Sequence, residues 1–149
     1  MDYSFTIHED QVKRLVTLIY LGNWLINGVR TYDEKIEDFD LIAQAVYAQL
    51  LQLGLSGVIA QDSDTQELYP AFDAENEILV QKLIEEYDEE IFWYELIHRM
   101  AARDLYLNHS EDELQEMGEK DMNSIQSEYL RKYADEFKQS GIDRMGILE

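Results

Sequence analysis

The sequence predicts an all-α fold, an irregular bundle of five or six helices forming one domain over residues 1–149, and three observations carry that prediction. Apolar side chains recur at steps of three and four through each long segment, the period that places them on one face of a helix. Pro70 is the only proline, so little interrupts a helix once it has started. A chain of 149 residues that is 46% hydrophobic can bury roughly 70% of its unfolded surface in one core, and two domains would be cramped.

Thr6 followed by Glu9 has capping-box spacing, and the helix it is expected to open carries Val12, Leu15, Val16, Ile19, Leu25, Ile26 and Val29. Arg30–Asp33 then read as a short turn. The second helix, Glu34 to Leu53, sets Ile36, Phe39, Ala43, Val46, Leu50 and Leu53 at helical steps, and Gly54 supplies its stop. Ser56 to Phe72 lose that period, and within this connection Val58–Ala60 and Glu67–Tyr69 are placed to pair as a short hairpin. Asp73 caps a third helix that is expected to end near Tyr87. Asp88, Glu89 and Glu90 suit the positive end of a helix dipole, so a new helix is expected to start there and run to Asn108. Ser110 and Glu113 make a second capping box for the C-terminal segment. Met122, Ile125, Tyr129, Tyr133 and Phe137 form its stripe, Gly141 ends it, and Gly118 leaves open whether it is one helix or two.

Charge excludes more than it assigns. The chain has 32 acidic and 12 basic residues, a net of -20, with 8 acidic against 4 basic through residue 60 and 24 against 8 thereafter. Such a surface repels nucleic-acid phosphates and anionic lipid, so neither direct nucleic-acid binding nor membrane binding is expected. The charge-free stretch Leu15–Val29 is 15 residues long, short of the roughly 20 that span a bilayer. Met1–Asp10 is polar and acidic, without the basic and apolar regions of a secretory leader, so the cytoplasm is the expected location. With no cysteine, disulfides, thiolate metal sites and thiol catalysis are absent.

Constellations that would carry chemistry are thin, and no cofactor is expected. Glu95 and His98 form a single Glu-x-x-His, a weak metal candidate, because a di-metal bundle needs two such motifs and two further glutamates. Asp62, Asp64, Gln66, Glu67 and Asp73 put oxygen donors at several places of a calcium loop. Glu67 nevertheless stands where the sharp turn needs glycine, and Asp73 where a bidentate glutamate belongs, so a solvated acidic loop is expected. Thirty-two acids guarantee chance carboxylate pairs in any fold, so their spacing identifies no acid–base site.

The segment from Phe92 to Asp104 is the most distinctive. On a helix, Phe92, Trp93, Leu96, Ile97, Met100 and Leu107 share one arc, with Ile91, Tyr94, Leu105 and Tyr106 on the other side. Arg103 and Asp104 fall inside the apolar arc, where an unpaired charge costs several kcal/mol, so one of them is expected to make a specific ion pair or cap a neighbouring backbone. Trp93, Arg99, Arg103 and Asp104 are therefore the candidates for a partner-binding surface or a structural ion pair. Together with Tyr87-Asp88-Glu89-Glu90, the pattern Phe92-Trp93-x-x-Leu96-x-x-Arg99-x-Ala101-x-Arg103-Asp104 resembles a stretch that recurs in a family of small bacterial helical proteins with no assigned activity. That resemblance covers residues 87–104 and implies helical structure and a bacterial or phage origin, with no catalytic role.

The function expected from these readings is that of a small acidic, non-catalytic interaction or regulatory protein whose partner is another protein or a second copy, as in a homodimer. One alternative is an acidic imitator of a nucleic-acid backbone that blocks a basic groove, which requires carboxylates in rows on one face. Another is a helical metal-binding or enzyme domain built on Glu95 and His98.

Overall fold

The computed structural model describes residues 6–146 and is all-α: five α-helices and one two-stranded hairpin among those residues. The helices are α1 Val12–Asn27, α2 Glu37–Gln52, α3 Ala74–Asn108, α4 Glu111–Glu116 and α5 Glu119–Ser140; the strands are β1 Ile59–Gln61 and β2 Leu68–Pro70. The chain divides between Lys82 and Leu83 into two compact units, and the division falls within α3. No described helix is long and apolar enough to cross a membrane.

In the first unit, α1 opens through a 3-10 turn, Glu9–Gln11, capped by the backbone of His8. The expected Thr6–Glu9 box does not form: Glu9 is already the first residue of the turn and is not placed to reach back to Thr6 as a third-position glutamate would. The core gathers Val12 and Val16 of α1, Ala43, Tyr47 and Leu50 of α2, and Ile59 of β1, with Ile19, Val46, Leu55 and Phe72 packed around it. Burial sits elsewhere than the apolar pattern alone implies. Leu25 and Val29 are exposed and Asn27 is buried, while on α2 Tyr47 is buried and Phe39 and Leu53 are exposed.

Hydrogen bonding explains the first shift. Asn27 Oδ1 accepts from the Ile36 N–H at 2.9 Å, and its Nδ2 donates to the Ile36 carbonyl at 3.4 Å and to Asn23 Oδ1 at 2.8 Å. One carboxamide thus meets both main-chain groups of the residue that caps α2. Gln44 repeats the device on the hairpin, donating to the Leu68 carbonyl at 2.8 Å and accepting from the Leu68 N–H at 2.9 Å.

The end of α2 shows why Gly54 is glycine. Its φ is +83°, and the Gly54 N–H bonds Leu51 O while the Leu55 N–H bonds Leu50 O, the two hydrogen bonds of a Schellman stop with the apolar pair Leu50 and Leu55 folded inward. The hairpin pairs Ile59 with Pro70, Ala60 with Tyr69 and Gln61 with Leu68, one residue later than the sequence suggests on both arms. Asp62 organises its turn, with Oδ1 accepting from the Asp64 and Thr65 N–H groups at 2.9 and 2.8 Å. Asp73 Oδ1 accepts from the Asn76 N–H at 3.0 Å and caps α3 as expected, and its Oδ2 meets Lys13 Nζ at 2.7 Å.

α3 corrects the expected break at Asp88 and continues for 35 residues. No glycine or proline occurs from Ala74 to Asn108, and a cap at Asp88 would surrender main-chain hydrogen bonds to gain one. In the second unit, Ala101 of α3 packs with Tyr133 and Phe137 of α5, flanked by Trp93, Leu96, Ile97, Met100, Tyr129 and Leu130. Leu105 is buried as well, whereas Phe92 and Leu107 are exposed, so the inward face is rotated from the arc drawn through Phe92 and Leu107. The Ser110–Glu113 capping box forms and starts α4. Gly118 does split the C-terminal segment: it is the N-cap of α5, which ends at Gly141 with φ +52°.

Candidate functional site

Arg103 and Asp104 pair with each other, and α5 completes the cluster. Asp104 is buried at 8% exposure, and its Oδ1 accepts from Arg103 Nε at 3.0 Å and from the terminal guanidinium nitrogen at 2.7 Å. Its Oδ2 accepts from Lys132 Nζ at 3.0 Å and from the Tyr133 hydroxyl, which in turn accepts from Arg103 at 3.0 Å. The Tyr133 hydroxyl, followed by Arg103 and Lys132, holds the Asp104 carboxyl well below the usual range against the cost of burial. Burial and the carboxylate bond push the Tyr133 phenol up, and the carboxylate bond raises Lys132. A phenol held protonated against a carboxylate held ionised is a poor acid–base pair at neutral pH. Both groups are committed to joining α3 to α5.

The remaining candidates stand apart from this cluster. Arg99 pairs with Glu95 one turn away at 3.1 Å on an exposed surface. Glu95 is thereby engaged away from His98, whose Nδ1 meets the Tyr94 carbonyl at 2.8 Å and whose ring stacks on Tyr94 with centroids 4.0 Å apart. Among the described residues no group of three or more His, Asp or Glu is placed to hold a metal. Trp93 donates from Nε1 to Glu89 at 2.6 Å, and its ring lies 4.9 Å from Phe92 and 5.8 Å from Phe137. It stands where α5 stops, since a Cβ on Gly141 would lie 3.9 Å from its ring.

Sequence reasoning set Ile91 and Tyr94 on the second apolar side of this helix and Leu83 facing inward, but did not join them with Tyr87 into one exposed row around Trp93. Leu83, Tyr87, Ile91 and Tyr94 are spaced four, four and three apart, which at 100° per residue keeps them on one side of α3. They are 39%, 45%, 42% and 56% exposed. Leu83 and Tyr87 stand eighteen residues, five whole turns, ahead of Ala101 and Leu105. The same line along the helix is therefore buried at 5% in its C-terminal part and about 40% exposed in its N-terminal part. From residue 83 to residue 98 the chain has six carboxylates and no lysine or arginine. Helical geometry sets Glu86 and Glu90 along one border of the row and Asp88 and Glu95 along the other.

The first unit holds an open groove of about 420 Å³ between α1, α2 and β2, walled by Tyr20, Trp24, Tyr47 and Tyr69 with Arg30, Lys35 and Asp40 at its polar edge. The carboxamides on its floor are spent on Ile36 and Leu68, Asp40 accepts from Asn23 at 2.7 Å, and burial pushes the Tyr47 phenol up to about 12. Those carboxamides and Asp40 hold the fold rather than point at a ligand. No family model, curated protein or solved structure matches the chain.

Proposed function

We propose that this chain is a small acidic, non-catalytic interaction protein that works through protein–protein contacts made by an exposed helix face. The observation that carries the reading is the Leu83–Tyr94 row, where an apolar line buried further along α3 continues into solvent. A row of aliphatic and aromatic side chains with a charged rim has the composition of an interface core. A chain without cysteine is compatible with action in a reducing compartment such as the cytoplasm.

Imitation of a nucleic-acid backbone is less well supported. Glu85, Glu86, Asp88, Glu89 and Glu90 spread round more than half of the circumference of α3, whereas a phosphate-like row needs them on one side. A metal-binding or enzymatic role loses support from the separate engagements of Glu95 and His98.

A photo-crosslinking residue placed at Ile91 and, as control, at the exposed Lys120 of α5 tests the reading in cells of the native host. The expected result is a discrete protein adduct at position 91 that is missing at 120. Equal labelling at both, or none at 91, overturns it.

A further inference from the structure

We infer that the Leu83–Tyr94 row docks a basic amphipathic helix of another protein, an inference that rests on reading the chain as an interaction protein. Three features select that occupant. The first is shape. At Ala101 the same line of α3 meets Tyr133 and Phe137 of α5, so a helix is a shape this line already accepts, while at Trp93, about 160° round α3 from Ile91, α5 lies on the other side and leaves the row exposed. The second is length: from Leu83 to Tyr94 is eleven residues, about 16 Å, enough for three turns of a partner helix to lay apolar side chains along it.

The third is charge. Asp88 stands on one border of the row and Glu90 on the other, with no lysine or arginine from residue 83 to residue 98, so a partner presenting Lys or Arg beside its apolar face meets opposite charge along each edge. The protein already uses that pairing once, where Lys132 of α5 reaches Asp104 of α3 at 3.0 Å. A second copy docking through the same row would bring two acidic rims together. A short row of this kind belongs with the small, low-affinity interfaces, so the contact is expected to be micromolar and salt-sensitive.

The test is fluorescence anisotropy on the full chain near physiological salt with a labelled synthetic peptide of about 18 residues containing only Leu and Lys, its Leu at helical spacing. A peptide of identical composition with that spacing scrambled is the control. The expected result is saturable micromolar binding, about tenfold tighter than for the scrambled peptide. Binding should fall about tenfold in the Tyr87→Ser/Ile91→Ser double variant and stay unchanged in Leu18→Ser, which alters a still more exposed apolar residue of the first unit. An unchanged melting curve establishes that the double variant folds, and Asp88→Asn/Glu90→Gln, which leaves the row intact, should flatten the salt dependence.

Equal binding of the scrambled peptide would reduce the effect to bulk charge and sink the inference. So would undiminished binding by the double variant, or sedimentation equilibrium revealing a dimer that Ile91→Ser abolishes. The Ile91 crosslink separates this inference from the reading beneath it: an adduct with an acidic protein or with the chain itself overturns the basic-helix partner alone, and no adduct overturns both.

Discussion

The Asp104 carboxylate accepts four hydrogen bonds from three side chains, and its surroundings decide what replacing it should do. Two cations and a phenol share its two oxygens. Arg103 and Lys132 are themselves 54% and 60% exposed, so much of the attraction is screened by water. The carboxylate is the buried member, and hydrogen bonds to a buried charged group are worth about 1.5–3 kcal/mol. Asp104→Asn should therefore lower the unfolding free energy by about 2 kcal/mol, and Tyr133→Phe by about 1–2 kcal/mol, in urea titrations followed by circular dichroism. Because the two groups share one hydrogen bond, the double variant should cost less than the sum. The pH dependence follows from the downward shift at Asp104. A carboxyl that is more acidic folded than unfolded contributes its full stability above the unfolded value near 4 and loses it as pH falls towards the folded value. The difference between wild type and Asp104→Asn should thus be constant from pH 7 to about 5 and shrink below about 4. A difference that grows in acid would mean that Asp104 is not ionised in the folded chain. That Arg103 and Asp104 need a partner was legible, because two charges fall within an apolar arc. Lys132 and Tyr133 were not, since separations of 28 and 29 residues leave no local pattern that names them.

Element boundaries were legible where a single residue type settles the backbone. Gly54, Asp73, the Ser110–Glu113 box and Gly141 all act where the sequence places them, because a left-handed stop or a side-chain cap is a local event. The expected break at Asp88 fails for the complementary reason. Acidic residues are favourable in a first turn but do not force one, and thirty-five residues without glycine or proline continue. Buried faces were read less well than boundaries. Asn27 is inside and Val29 outside because a carboxamide can satisfy both main-chain groups of Ile36, a tertiary partnership that hydropathy does not encode. Asn27→Ala should consequently cost about 1–3 kcal/mol, while the apolar truncation Leu18→Ala at a 68% exposed site should fall within about 0.5 kcal/mol of wild type. Two glycines make a matched pair. At Gly54, with φ +83° and open space where a Cβ would go, alanine is opposed only by the backbone and should cost about 1 kcal/mol. At Gly57, with equal space and no positive φ, alanine should be neutral or stabilise by up to about 1 kcal/mol through the unfolded chain. If both substitutions cost the same, the Schellman account of the α2 terminus is wrong.

At the scale of the whole molecule the dominant quantity is the net charge of -20, and the question is whether its repulsion outweighs the ion pairs that the fold does make. Among the described residues, Lys13–Asp73 and Arg99–Glu95 are surface pairs and Arg144–Glu136 a partly exposed one, each worth about 0–1 kcal/mol, and the Asp104 cluster includes a buried carboxylate. Salt weakens those attractions. It also weakens the repulsion among 32 carboxylates that only 12 cations offset, and the second effect involves many more charges over distances beyond hydrogen-bond contact. Screening acts most strongly on such distant pairs, because the Debye length falls from about 30 Å at 0.01 M to about 8 Å at 0.15 M, while contacts near 3 Å in partly buried settings are spared. The two contributions therefore have opposite signs, and repulsion should win. Raising sodium chloride from about 0.01 to 0.3 M should increase the melting temperature by several degrees, corresponding to about 1–2 kcal/mol, with most of the rise complete by about 0.15 M. The Asp104→Asn variant should show a rise at least as large, having lost its most protected attraction and kept almost all of its repulsion. A melting temperature that falls with salt would place the stability of this chain in its ion pairs and refute the account of its acidic surface as a destabilising cost.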